Sequence, residues 1–169
     1  MTQSLAEIMS AFPGRWAGGA FLPDPHPQIV RIHDLWRAAA TDRRFPPAGA
    51  LGPAELKPVL PDVHIYTVSP EPPRYRVRLI GTRMTEHIGR NLAGKPVEEI
   101  PLDALRQVIG GLLNAVEVSG AFLHLMAPRA IALPNGDHKA LESIWLPCAE
   151  DGETIDRVIA VSLLGALHT

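Results

Sequence analysis

The chain carries one cysteine, Cys148, which excludes an intramolecular disulfide and any metal site built from thiolates alone. Net charge is also scarce. Sixteen Lys and Arg stand against 18 Asp and Glu, so the concentrated positive footprint that nucleic acid demands is missing. No apolar run reaches the roughly 18 residues of a membrane span. The N-terminus has no basic flank, and Glu7 interrupts its weakly apolar start, so no signal peptide is read there. There is no Gly-rich phosphate loop, no HExxH, no Ser/His/Asp signature and no nucleophile elbow. Neither an internal repeat nor a low-complexity tract is present. These absences lead us to expect a cytoplasmic protein without nucleic acid or membrane as partner.

What the chain has is length enough for a core and many breaks. With 169 residues it can bury about 70% of the surface its unfolded form exposes. Its 17 prolines cluster at 13–27, 46–62 and 70–73, and those clusters mark connections, because proline fixes φ and removes a backbone donor.

The most telling stretch runs from Arg74 to Lys95. Tyr75, Val77 and Leu79 alternate with Arg74, Arg76 and Arg78, the period of two of a half-buried strand with a solvated basic face. The alternation breaks at Gly81, and a short helical segment follows through Met84, His87 and Ile88 to Gly89. Upstream, residues 3–12 read as a short helix and Arg15 to Pro27 as an irregular arm. The arm carries Trp16, Phe21 and Leu22, which need burial. Ile29, Ile32, Leu35 and Trp36 recur at helical spacing and predict a helix over 28–41. Pro53 suits the first turn of a short helix, and His64 to Val68 reads as a strand.

Farther on, Asp103 looks like the N-cap of a helix to about Val118, with Leu105, Val108, Ile109, Leu112, Leu113 and Val116 as its apolar stripe. Gly110-Gly111 in its middle suits close packing or a bend. After Gly120 strands dominate: Ala121 to Met126 and Arg129 to Leu133, bulged near Pro128, then a turn at Pro134-Asn135-Gly136-Asp137. Lys139 to Leu146 returns antiparallel, and Arg157 to Leu164 is the last strand. Two strands, helices and three strands imply an α+β fold around a five-stranded antiparallel sheet. We divide it into an arm with a short helix over 1–27 and a main domain over 28–169.

The stretches LWRAAATDRRFP, LKPVLPDVHIYTV, EPPRYRVRLIGTRMTEHIGRNLAGK and DRVIAVSLL resemble a family of small standalone bacterial PAS-like proteins. Its most specific marks are Leu35-Trp36-Arg37, Leu60-Pro61 and the segment Gly81-Thr82-Arg83 through Glu86, Gly89-Arg90, Leu92 and Gly94. The resemblance implies a PAS fold, with short helices and one longer helix over one sheet face, together with self-association and a sensing or regulatory role. It implies no established ligand. Gly81-Thr82 stand where better-known PAS domains often have an asparagine, so pocket contacts of flavin- or haem-binding relatives are not carried over.

Seven histidines lie at 26, 33, 64, 87, 124, 138 and 168 with no i, i+4 pair on a helix, so no metal site is expected. Haem-sensing PAS domains commonly take an axial histidine from the long helix. Here that helix has none, and only His87 or His124 could substitute, which disfavours haem. Light-sensing flavin is disfavoured as well, because Cys148 follows the penultimate strand and no Asn-Cys-Arg motif exists. The cofactor stays unknown.

The candidate ligand site comprises Tyr75, Val77, Leu79, Met84, Leu112 and Trp145 with the polar cluster Arg83, Glu86, His87 and Arg90. Ile65, Ile88, Val116, Phe122, Leu141 and Val161 are further candidates for a cavity wall, and a close-packed core is the other reading of the apolar residues. Arg83, Glu86, His87 and Arg90 share a helical face. They either present a polar wall to an anionic ligand or let Glu86 bridge two arginines. Trp16, Phe21, Ile29, Ile32 and Trp36 are the candidates for dimerisation or docking.

The expected function is a non-enzymatic sensory module that binds a small molecule or a protein partner. It is expected to form a homodimer and to signal through a separate effector protein, since no effector segment is read in the chain. A ligand-free interaction domain is the first alternative. A small isomerase-like enzyme is the second, with Glu142 as acid–base group in an apolar pocket.

Overall fold

A computed structural model describes residues 3–10, 12–132 and 135–165, with the side chains of residues 131 and 132 also outside the description. His168 and part of the expected turn, Pro134, therefore lie outside the described residues. Element order is α1 (Leu5–Met9), β1 (Arg15–Gly18), α2 (Pro27–Ala40), α3 (Pro53–Leu56), β2 (Val63–Val68), β3 (Tyr75–Ile80), α4 (Thr82–Ile88), α5 (Asp103–Ser119), β4 (Leu123–Ala132), β5 (His138–Cys148) and β6 (Arg157–Leu164).

The strands form one antiparallel sheet in the order β1-β4-β5-β6-β2-β3. Among the described residues it has six strands where the sequence pattern predicts five. The extra one comes from the arm expected to be irregular: Arg15 to Gly18 pair with Met126 to Leu123. Four residues flanked by Pro13-Gly14 and Gly19 carry no strand signal of their own. The β4 backbone supplies it by offering an unpaired edge. The expected disturbance at Pro128 is a register shift between Ala127 and Ile131.

Helices cover both faces of this sheet. On one, α5 and α4 pack over Tyr66, Val77, Leu123, Leu125, Trp145 and Ala160. On the other, α2 and α3 lie over Val63, Ile144, Leu146, Ile159 and Val161. Because both faces are dry, Glu142 to Cys148 are all buried, and β5 shows no alternation in exposure.

Local chemistry sets the helix ends. Ser4 and Glu7 form a capping box at α1, with the Ser4 N–H donating to Glu7 Oε2 at 2.7 Å. Pro27 opens α2 behind His26, whose Nδ1 accepts from the Gln28 N–H. Asp103 is the first residue of α5, not its cap, and pairs with Arg106 at 2.8 Å. Gly120 ends α5 at φ +62°, and a Cβ there would also strike the Arg44 guanidinium. α1 packs back onto α5, its Ile8 carbonyl lying over Gly111.

Ile29 and Ile32 are fully buried, and Trp36 nearly so, against the sheet. Their expected place on a docking surface is corrected: the α2 stripe is spent on the chain's own core. Trp36 Nε1 donates to the Pro147 carbonyl at 2.8 Å, which fixes α2 on β5. Trp16 and Phe21 are half-buried and likewise pack within the chain, Trp16 on the α5 face and Phe21 on the α2 face. Among the described residues no helix is long and apolar enough to cross a membrane.

Candidate functional site

Between α5, α4 and the sheet lies a cavity of about 370 Å³. Its floor comes from alternate residues of adjacent strands: His64 and Tyr66 on β2, Leu141, Ser143 and Trp145 on β5, and Ser162 on β6. Strand period two puts these on one face, and the β5–β6 register sets Ser143 opposite Ser162. The roof is Leu105, Val108, Ile109 and Leu112 of α5 with Met84 of α4. Phe12 and Pro13, with the exposed His87 and Leu102, complete this side of the lining. A second cavity of about 250 Å³ lies between α1 and α5 and shares Phe12, Val108 and Leu112 with the first.

The floor's polar groups are few and specific. Trp145 Nε1 donates to Ser143 Oγ at 2.8 Å, and the Ser143 and Ser162 hydroxyls share a hydrogen bond of 2.9 Å. The Tyr66 and Trp145 rings stack at 5.3 Å with planes 11° apart. His64 accepts the Gly81 N–H at Nδ1, 3.2 Å away, so its ring hydrogen sits on Nε2. That Nε2 is buried and has no partner among the described residues. Burial holds the imidazole neutral, with its pKa pushed down to about 4. Burial likewise pushes the Tyr66 phenol up. Among the described residues the lining contains no Asp, Glu, Lys or Arg.

The sequence-derived candidates divide. Met84, His87, Leu112 and Trp145 line the cavity, as does Leu141. Val77 is fully buried on the same face, within the packed core. Tyr75 stands apart: its hydroxyl donates to Glu117 Oε1 at 2.6 Å, and Arg74 pairs with the same carboxylate. Burial, and then Glu117, raise the Tyr75 pKa.

Leu79 is 38% exposed and points to the opposite face. The simple alternation fails there because β3 is bulged. Ile65 pairs with Leu79 but Tyr66 with Val77, leaving Arg78 as the extra residue. Ile65, Phe122 and Val161 also belong to the α2 face and not to the cavity.

The helical polar cluster does not assemble. Arg83 turns away from Glu86 to the buried Asp62, with contacts of 3.0 and 3.3 Å. Burial raises the Asp62 pKa and Arg83 opposes it. Glu86 and Arg90 are exposed and form no ion pair among the described residues, so neither the polar wall for an anionic ligand nor the double bridge is assembled.

Glu142 does not face the cavity either. It is buried on the α2 face, where Oε2 accepts the His26 N–H at 2.8 Å and meets His124 Nε2 at 2.9 Å. His124 Nδ1 in turn accepts the Leu22 N–H at 2.9 Å. That chain of bonds ties the arm to the sheet, and the carboxylate placed in an apolar pocket from sequence is sealed beneath it. Cys148 is buried, which pushes its thiol up to about 12. Among the described residues no group of three or more His, Cys, Asp or Glu could hold a metal ion.

Sequence reasoning missed His64, Tyr66, Ser143 and Ser162. The available signal was a lone hydroxyl inside each of two apolar runs, LESIWL and VIAVSLL, where serine needs a partner.

A family model described as PAS domain matches residues 25–166. No curated protein matches the chain. Among solved structures, an RNA-binding light-oxygen-voltage receptor is similar at 15% identity and a TM-score of 0.42, covering 89% of this chain. The chain spans 38% of that receptor's length. The PAS domain of an HTR-like protein from Haloarcula marismortui is similar at 15% identity and a TM-score of 0.31, covering 66% of this chain and 95% of that one.

Proposed function

The chain belongs to the PAS domain family, and from that premise we propose that it is a sensory module whose input is a small molecule held between α5 and the sheet. One observation carries this reading: a mostly apolar cavity of about 370 Å³ is lined by His64, whose buried ring nitrogen Nε2 has no partner among the described residues. A buried donor without an acceptor costs on the order of 1–3 kcal/mol, and a ligand that supplies the acceptor recovers it. The volume falls in the range of small-ligand sites, and the few polar groups among apolar walls fit their usual make-up.

The output, in this reading, passes to a second copy of the chain or to a separate effector protein. α1 and the segment at Phe12-Pro13 lie beside the cavity and the helix that roofs it, so occupancy bears directly on how they pack.

Native mass spectrometry of the freshly purified chain, repeated after denaturation, tests the input. The expected result is a mass excess that vanishes on denaturation and is missing from Leu112→Trp, which fills the cavity. A bare mass, combined with no rise in Tm across a library of metabolites, would overturn the reading.

A further inference from the structure

Resting on the reading that this cavity holds a small molecule, we infer that its ligand is an uncharged, mostly apolar compound. It presents a carbonyl oxygen to His64 Nε2 and to the Ser143–Ser162 pair. The inference comes from counting hydrogens on the cavity floor.

The Gly81 N–H occupies His64 Nδ1, so Nε2 carries the hydrogen and is a donor without an acceptor among the described residues. The two serine hydroxyls own two hydrogens and share one hydrogen bond between them. Whichever serine donates in that bond, the other keeps a hydrogen to give. Trp145 Nε1 adds no demand, because it already donates to Ser143 Oγ. Beside the Tyr66 hydroxyl, which can both donate and accept, the floor therefore offers His64 Nε2 and one serine hydrogen as spare donors. They are near neighbours by register: His64 pairs with Ala160, and Ser162 is the next residue of β6 on the same face.

A carbonyl oxygen answers that surplus directly, since it brings two lone pairs and no hydrogen of its own. A pure hydrocarbon would leave both donors unpaired. A carboxylate would match the donors but bring a charge into a lining that, among the described residues, has no Lys or Arg, and desolvation opposes it. Of the two imidazoles in the lining, burial keeps His64 neutral well below physiological pH, and His87 is exposed on α4, away from the strands of the floor.

The test is a titration of the full chain, followed by NMR, with three probes of one skeleton: methyl hexyl ketone, octane and octanoate. The expected result is ketone affinity about tenfold above that of either relative, with a shift of the His64 Nε2 resonance seen for the ketone alone. His64→Leu and Ser162→Ala should each cut the ketone's advantage over octane below about threefold while octane still binds. Ser162→Ala is the milder change and serves if His64→Leu unfolds. Equal affinity for ketone and octane, or tightest binding of octanoate, would overturn the carbonyl assignment and leave the sensing cavity standing. If none of the three shifts the resonances of Val108 or Leu112, the cavity reading falls with it.

Discussion

His124 on β4 and Glu142 on β5 are diagonal neighbours whose side chains meet at 2.9 Å in a fully buried pair, and each also holds one backbone N–H of the arm. Glu142 Oε2 takes two donors, the His26 N–H and the ring N–H of His124. Glu142→Leu strips both of their acceptor while adding nothing in return. We expect a loss of about 3 kcal/mol in urea unfolding, together with faster protease cleavage between residues 19 and 27. Stability within about 0.5 kcal/mol of the parent would show that the pair does not hold the arm.

His64 gives the fold a defined response to acid. Its folded pKa is about 4 against 6.5 for the exposed group, so across that window the unfolded chain binds a proton that the folded chain refuses. Its contribution is therefore complete above the unfolded value and is lost as pH falls through the folded one. The full span is on the order of 3 kcal/mol. His64→Gln keeps an acceptor for Gly81 but does not titrate. Denaturation curves between about pH 7 and pH 4 should show the variant losing less stability than the parent, and parallel curves would sink the assignment.

Gly81 is required for space and not for conformation. A Cβ there would lie 2.2 Å from the Pro61 carbonyl oxygen, a backbone atom that cannot swing aside. Gly81→Ala should cost about 2 kcal/mol or more, because the junction of β3 and α4 must move. Gly49 has open space around it, and Gly49→Ala is expected to stay within about 0.5 kcal/mol of the parent. Thermal unfolding of the two variants side by side measures the difference.

Long periodic elements were legible in the sequence because their pattern follows from burial on one side. The α5 stripe from Leu105 to Val116 and the arginines of β3 are of this kind. The resemblance carried by Leu60-Pro61 and the Gly81–Gly94 segment gave the family. What stayed hidden depends on contacts between distant stretches. β1 exists because β4 offers an edge, and a bulge at Arg78 sends Leu79 outward without any local mark. The same holds for the cavity floor. Ser143 and Ser162 become one polar pair only through the β5–β6 register, and His64 joins them only through β2 on β6. Arg83 was read against its helical neighbours, but its partner Asp62 lies 21 residues upstream, at the end of the short helical turn that leads into β2.

A strand with one wet face can drift at every second position. From Leu141 to Cys148 no such position exists: Leu141, Ser143 and Trp145 border the cavity, while Glu142, Ile144, Leu146 and Cys148 carry the arm and α2. Two separate texts are thus interleaved in alternate letters of one short stretch, one specifying what the cavity admits and the other what the back of the sheet holds. Any one-residue insertion or deletion there would exchange them, turning the carboxylate into the cavity and the serine under the helix, and both meanings would be lost together.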